Sequence, residues 1–152
     1  MIQKLSYTMP VVFQLADIEK ACFGRDAWSI SALRGEFEND YSHMFGWIDQ
    51  DSGKIVAYVC VRTMFEEGQV CNIAVTENFR RQGIATALLA VLDKFCQESG
   101  CEYIELEVNT ANLPAVELYK KAGYTVAGVR KNFYRKSRFA SNDAYTMTKS
   151  LK

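Results

Sequence analysis

A short loop with two arginines and a glycine, Arg80-Arg81-Gln82-Gly83-Ile84-Ala85, is the stretch best suited to bind a small anion. An apolar segment that ends at Val75 precedes it, and a helical pattern of apolar residues follows it as far as Gly100. Because Gly83 has no Cβ, an anion can approach the backbone, where the free N–H groups of the first helical turn and the helix dipole favour negative charge. The loop therefore predicts a pyrophosphate site.

Glu107 is a candidate general base, because it lies near the end of a segment in which apolar and polar residues alternate. Ile104, Leu106 and Val108 share one face, and Glu107 lies with Glu105 on the other. From the alternation alone, a solvated or salt-bridged glutamate is the commoner outcome. If the group to be deprotonated were an α-amino group, whose pKa is near ~8, a weak base would be sufficient.

Two further polar residues, Tyr119 and Asn112, have ordinary structural explanations. Tyr119 lies with Ala115 and Val116 at the spacing of a core aromatic, for which packing is the usual role. Asn112 can cap a short helix, whose first turn tolerates Pro114.

These residues are positioned by a strand, a helix and a second strand. Val70–Val75 reads as a strand that is buried on both faces, and Cys101–Val108 as a half-buried strand. Such a unit forms a right-handed crossover with parallel strands, and ligands bind at the strands' carboxyl ends. The pattern also predicts strands at 2–7, 44–49, 54–64, 124–129 and 144–149, and helices from Pro10 to about Cys22, from Ser29 or Ser31 to Phe37, and from Asn112 to Gly123.

Length and composition indicate one domain that spans residues 1–152, since 49% of the residues are hydrophobic and 24% are charged. The formal net charge is zero, so no general field attracts nucleic acid or an anionic membrane. The N-terminus lacks a leader pattern, and no apolar run approaches the ~18 residues that a membrane span needs. We expect a cytoplasmic protein without membrane contact and without a metal.

Five cysteines, an odd number without paired spacing, are predicted to be reduced core thiols. The alternative, a cysteine nucleophile that carries an acyl group, would need a base. The single histidine, His43, lies in an unrelated segment.

The loop and its surroundings resemble the signature of the GNAT superfamily of N-acetyltransferases. The resemblance continues through Asn72–Val75 before the loop, and through Leu106–Asn112 and Leu118–Tyr124 after it. Within the superfamily the chain is most similar to the ribosomal-protein-alanine N-acetyltransferases, whose Trp-Ser and Asn-Tyr-Tyr motifs appear as Trp28-Ser29 and Asn132-Phe133-Tyr134. The resemblance implies an α+β fold in three layers (α/β/α), with a mixed sheet of about seven strands, about four helices and parallel central strands around the crossover.

The resemblance also implies roles for individual residues. Acetyl-CoA would be the co-substrate, with Glu107 as general base and Tyr119 as general acid near the coenzyme sulfur. The acceptor entrance would be flanked by Trp28, Asn132 and Tyr134. The coenzyme would contact Ile73, Ala74, Val75, Arg80, Arg81, Gln82, Gly83, Ile84, Ala85, Asn112 and Tyr119.

The acceptor implied by the family is the N-terminal α-amine of a small-subunit ribosomal protein that begins with alanine. We expect the enzyme itself to be a monomer or a weak dimer. A lysine or small-molecule amine is an alternative acceptor. A non-catalytic acetyl-CoA-binding module is the other alternative, although it would need neither Glu107 nor Tyr119.

The chain departs from the family at Phe133 and in the basic segment Arg130–Arg138. Basic and aromatic residues together can bind nucleic acid, but a solvated hairpin fits the zero net charge better. If this segment meets the acceptor, Arg135, Lys136 and Arg138 would favour carboxylates just downstream of the amine.

Overall fold

A seven-stranded mixed sheet with four α-helices organises the chain, in a computed structural model that describes residues 1–152. The strands are β1 (Ile2–Lys4), β2 (Ser42–Ile48), β3 (Ile55–Met64), β4 (Glu67–Val75), β5 (Tyr103–Asn109), β6 (Thr125–Arg130) and β7 (Ala144–Ser150). The helices are α1 (Met9–Phe23), α2 (Ile30–Glu38), α3 (Ile84–Glu98) and α4 (Leu113–Lys121), with 3-10 turns at Gly24–Asp26 and Glu77–Phe79. The strand order is β1-β2-β3-β4-β5-β7-β6. The predicted fold class is confirmed.

The parallel pair in the sheet is β4 with β5, joined by α3 as the crossover. Pairing runs only from Glu67 opposite Tyr103 to Gln69 opposite Glu105. Beyond these residues the two strands no longer pair, so their carboxyl-terminal halves diverge. This divergence opens the middle of the sheet at the edge where ligands of parallel strands bind.

A β-bulge in β4 lies where the divergence begins. Cys60 of β3 pairs with Asn72, whereas its neighbour Val61 pairs with Val70, which leaves Cys71 as the extra residue. A bulge bends the strand that carries it and increases the local twist. β4 is therefore turned away from β5 and presents Asn72 to Val75 along the gap.

Two apolar clusters cover the two faces of the sheet and give the three layers. The larger cluster includes Leu88 and Leu92 of α3 and Val116 of α4. The smaller cluster includes Leu15 of α1 and Leu33 of α2. Alternate residues of β3 belong to different clusters, as the period of a buried strand requires.

Polar caps begin three of the helices. Ser29, and not Ser31, caps α2, because its hydroxyl accepts a hydrogen bond from the Ala32 N–H at 3.0 Å. Asn112 caps α4 as predicted, with its side chain accepting from the Ala115 N–H at 3.4 Å. Thr8 caps α1, which the sequence pattern had not indicated.

Three predictions from the pattern were wrong in detail. β1 ends at Lys4 rather than Tyr7. β4 is not buried on both faces, because Cys71, Asn72, Ile73 and Val75 are only half-buried along the gap. All five cysteines are free, but Cys22 and Cys71 are half-buried rather than core residues.

No helix combines the length and the apolar character that crossing a membrane requires.

Candidate active site

A cavity of about 1220 Å³ occupies the gap between β4 and β5. Its walls come from β4, β5, α4, the end of α1 with the loop after it, and the β6–β7 loop (residues 131–143). The predicted site residues that line the cavity are Trp28, Ile73, Ala74, Val75, Arg80, Arg81, Ala85, Glu107, Asn112, Tyr119 and Tyr134. The topology thus brings together residues that are up to a hundred positions apart.

A smaller cavity of about 200 Å³ adjoins the first at the N-terminus of α3 and is lined by Gly83 and Ile84. The two share Val75, Arg80, Arg81 and Ala85. Gly83 is the residue before the helix and has a φ of 79°, a left-handed conformation that side chains rarely adopt. A Cβ on Gly83 would meet no atom within 4 Å, so the need for glycine is conformational here.

The arginines of this loop have different environments. The Arg80 guanidinium donates to the Val75 carbonyl oxygen at 2.9 Å and lies 3.6 Å from the Cys22 sulfur, which ties the loop to β4 and α1. Arg81 has a φ of 61°, so the turn before α3 contains two left-handed residues. Gln82 lines neither cavity, and its amide donates to the Asn78 carbonyl oxygen at 3.4 Å.

Glu107 projects from β5 into the large cavity, with 11% of its side chain exposed. Burial raises the pKa of its carboxyl group, and the guanidinium of Arg130, 3.7 Å away, opposes that rise. The nearby charges of Glu105 and Glu67 raise the pKa further. A carboxylate with a raised pKa is a stronger base, and it stays ionised at neutral pH when the shift is moderate.

Tyr119 projects from α4 toward the same space and is 7% exposed. Burial raises the pKa of its phenol, and the nearby phenol of Tyr134 adds to the rise. Burial also raises the pKa of Tyr134, with the charge of Glu107 as the second cause. The three side chains therefore lie within electrostatic range of one another, with one proton acceptor and two phenols that remain protonated.

The opposite end of the cavity is bounded by Trp28 and Tyr134. Asn132, the third residue predicted to flank the entrance, lines neither cavity. It has a φ of 52°, and its backbone N–H donates to the Asp143 carboxylate at 2.9 Å. Asn132 therefore shapes the start of the β6–β7 loop, and its neighbours Phe133 and Tyr134 reach the cavity instead.

The β6–β7 loop is docked onto the cavity rather than being a simple solvated hairpin. The Asn109 side chain, which is 4% exposed, donates to the Ser137 hydroxyl oxygen and to the Ser141 carbonyl oxygen, both at 2.8 Å. Arg138 donates to the Cys22 carbonyl oxygen at 2.8 Å. Its guanidinium also lies over the Phe23 ring, 5.1 Å from the centroid. The loop therefore bridges β5 and the end of α1 across the mouth of the cavity.

The sequence analysis did not identify Asn109, Cys22, Phe23 or Phe139 as site residues, although all four line the cavity. The contact between Arg138 and Cys22 spans 116 positions of the chain. No local pattern encodes a contact of that kind. Asn109 is the last residue of β5, the strand that carries Glu107, and this position at a strand's carboxyl end was the signal that could have found it.

Comparison with known proteins identifies the family. Residues 12–124 match the acetyltransferase (GNAT) family. A Bacillus subtilis (strain 168) protein with the provisional name [ribosomal protein bS18]-alanine N-acetyltransferase is 30% identical over 119 residues, which cover 78% of this chain and 77% of that protein. An N-alpha-acetyltransferase of Sulfurisphaera tokodaii is 33% identical over 129 residues, which cover 76% and 74%.

The fold agrees with this match. The crystal structure of the ribosomal-protein-S18-alanine N-acetyltransferase from Escherichia coli superimposes with a TM-score of 0.86, at 25% identity, over 100% of this chain and 95% of that one. Since the family match covers most of the chain and includes the loop, β4, β5 and α4, the chain belongs to the GNAT family and is an acetyl-CoA-dependent N-acetyltransferase.

Proposed function

We propose that this enzyme transfers the acetyl group of acetyl-CoA to the N-terminal α-amine of a protein that begins with alanine, and that its natural acceptor is a small-subunit ribosomal protein. The observation that carries the proposal is the convergence of Glu107, Tyr119 and Tyr134 in one cavity. That cavity runs from the Gly83 loop to Trp28. The names of the relatives supply the acceptor class.

The coenzyme end of the cavity comprises Arg80–Ala85, the first turn of α3 and the edge of β4. The left-handed turn at Arg81 and Gly83 leaves the first N–H groups of α3 to bind the pyrophosphate, with the helix dipole in support. Beyond Gln69, β4 has no partner on the side of β5. The Ile73 N–H is bonded to the Asn72 side chain and the Val75 carbonyl oxygen to Arg80, so the other backbone groups on this edge of Ile73–Val75 would pair with the amides of the pantetheine arm, as a missing strand would.

Direct attack of the amine on the thioester is the mechanism that this arrangement supports. Glu107, directly or through a water, removes a proton from the ammonium group, and the neutral amine attacks the carbonyl carbon. The attacking nitrogen then gives up a second proton to water, and the carbon–sulfur bond breaks as the amide forms. Tyr119 donates its O–H to the leaving sulfur and regains a proton from solvent. Its raised pKa keeps the phenol protonated but makes complete proton transfer less favourable, so hydrogen bonding to the thiolate is its larger contribution.

The acceptor end comprises Trp28, Tyr134 and the Arg138 contact with α1. Tyr134 lies beside Glu107, so the first residue of an acceptor must fit between its ring and the thioester. This limited space favours a small residue such as alanine, glycine or serine. The loop that bridges the mouth favours a chain end over a continuous backbone.

Mass spectrometry of peptides incubated with acetyl-CoA tests the proposal. The set contains free N-termini that begin with Ala, Ser and Met, and an N-terminally blocked peptide with an internal lysine. We expect acetylation of the α-amine of the Ala and Ser peptides, with Ala fastest. Acetylation of the internal lysine with no modification of any α-amine would contradict it.

A further inference from the structure

A carboxylate outside the catalytic group, Glu19 of α1, is completely buried next to the acceptor end. It is 0% exposed and does not itself line the cavity. One of its oxygens accepts the backbone N–H of Trp28 at 2.9 Å, and the other accepts the side-chain amide of Asn72 at 2.8 Å. The same Asn72 amide donates to the Tyr58 hydroxyl oxygen at 3.2 Å, and the nearby Tyr58 hydroxyl lowers the pKa of the Glu19 carboxyl group.

The surroundings of Glu19 differ from those of the other buried carboxylate, Glu36. Glu36 forms an ion pair with Arg62, which compensates its charge. Glu19 has hydrogen-bond donors but no cationic partner, and burial raises its pKa. A buried charge without a counter-ion costs stability unless hydrogen bonds compensate it, and here the Trp28 N–H and the Asn72 amide provide those bonds.

Glu19 connects the two walls of the acceptor end. Trp28 lies in the loop between α1 and α2, and Asn72 directly follows the bulge of β4, and both line the cavity. The orientation of Asn72 is fixed from its other side, because its side-chain oxygen accepts the Ile73 N–H at 3.1 Å. A single carboxylate therefore determines the separation between a loop wall and a strand wall.

We propose that Glu19 is a positioning residue that fixes Trp28 relative to Asn72 and so sets the shape of the acceptor pocket. The inference rests on the proposed function for the identity of the acceptor, but the positioning itself is independent of it. Glutamine cannot replace the carboxylate, since its NH₂ group would face either the Trp28 N–H or the Asn72 amide, both of which are donors.

The experiment compares Glu19→Gln with the parent enzyme in steady-state kinetics with an Ala-peptide. We expect the KM for the peptide to rise about tenfold, as loss of one charge-assisted hydrogen bond predicts. The Kd for acetyl-CoA should change much less than the KM, because Glu19 reaches β4 only through the Asn72 side chain and makes no contact with the Gly83 loop. Glu36→Gln is the matched control: its bonding partners Ser42, Arg62 and Cys60 line no part of the cavity. That variant should lose thermal stability without a change in KM.

A second readout keeps the test independent of the acceptor. The chain has two tryptophans, so Trp47→Phe leaves Trp28 as the sole tryptophan, whose emission can be excited selectively over that of the tyrosines. In that background, Glu19→Gln should increase acrylamide quenching of Trp28, and Glu36→Gln should not. If no peptide is acetylated even by the parent enzyme, the proposed function fails, while the quenching still decides whether Glu19 positions Trp28.

An unchanged KM in a folded Glu19→Gln enzyme would overturn the inference, as would an equal loss of acetyl-CoA affinity. If Glu19→Gln does not fold, Tyr58→Phe removes the hydroxyl that holds the Asn72 amide and keeps the carboxylate. It should raise the peptide KM about threefold with coenzyme binding unchanged. No effect of Tyr58→Phe on either KM or quenching would equally overturn it.

Discussion

The two ends of the cavity are built in different ways. The proposed coenzyme end is formed by one short loop, of which Arg80, Arg81 and Gly83–Ala85 line the cavities, and by a single strand, β4. The acceptor end is assembled from the end of α1, β5 and the β6–β7 loop, which are held together by side chains such as Asn109 and Arg138. A site made of backbone groups tolerates many substitutions but depends on glycine conformation. A site made of side-chain contacts can change its specificity one residue at a time.

The charges of the two ends differ as well. Between the two ends Glu107 is paired with Arg130, and at the acceptor end Lys131 is paired with Asp143. Arg135 and Lys136 line the cavity without a carboxylate partner in the chain. The coenzyme end combines its arginines with a helix dipole, so both ends attract anions, but only the coenzyme end presents oriented N–H groups.

The largest expected effect is on the coenzyme end. Gly83→Asp introduces a side chain at a position with left-handed backbone conformation. It also places a negative charge at the N-terminus of α3, where it would repel the pyrophosphate. We expect acetyl-CoA affinity to fall by ~10²-fold or more, measured by calorimetry. Gly53→Asp is the matched control, since Gly53 also has a positive φ, of 70°, in a hairpin turn away from both cavities.

Unchanged affinity of a folded Gly83→Asp protein would show that the pyrophosphate does not bind at this loop. Equal losses in both glycine variants would point to backbone strain rather than to the anion site.

The next effect concerns the catalytic base, which lies between the two ends. Glu107→Gln keeps the shape and removes the proton acceptor, so kcat should fall by about 10²-fold. Part of the rate should return at higher pH, where the amine loses its proton unaided. Glu105→Gln is the control, because it lies on the same strand but does not line the cavity. Wild-type turnover of Glu107→Gln in a chemistry-limited assay would remove Glu107 from the mechanism.

The pH dependence of the parent enzyme follows from the same group. The pKa of Glu107 is raised, so activity should be lost as the pH falls through a value above that of an ordinary glutamate. Arg130 lowers the pKa, so Arg130→Gln should move this acid limb to higher pH. A pH–rate profile of kcat/KM measures the shift, and an unmoved acid limb would assign it to another group.

A smaller effect is expected for the general acid. Tyr119→Phe should lower kcat about tenfold with little change in acetyl-CoA affinity, because the phenol stabilises the leaving thiolate mainly by hydrogen bonding. Tyr124→Phe provides the comparison, since Tyr124 is an adjacent buried tyrosine that does not line the cavity. If the Tyr119 variant lost coenzyme affinity rather than turnover, its role would be in packing.

The smallest effect concerns charge selection at the acceptor end. The double variant Arg135→Gln and Lys136→Gln should reduce the preference for peptides with carboxylates after the first residue by a few-fold, since exposed pairs contribute only about 0–1 kcal/mol each. Added salt should weaken the same preference in the parent enzyme. Lys131→Gln is the control, because Lys131 is already paired with Asp143. A parent enzyme with no preference between acidic and neutral peptides would show that these cations do not meet the acceptor.

The sequence by itself determined the elements whose signals are local. The Gly83 loop, the apolar periodicity of α3 and the alternation of β5 each lie within one segment, so the crossover could be predicted from them, whereas the full fold class was implied by the resemblance to a known family. The Ser29 and Asn112 caps were recognisable for the same reason, since a cap satisfies N–H groups two or three residues away.

Only the tertiary structure decided how the acceptor end is closed. The bulge at Cys71 depends on pairing between β3 and β4, so nothing in the apolar run 70–75 revealed where β4 would turn away from β5. The contacts of Glu19 with Asn72 and of Arg138 with Cys22 join segments more than fifty positions apart. Each such contact depends on the packing of α1 and the β6–β7 loop around the sheet, which local propensity does not encode.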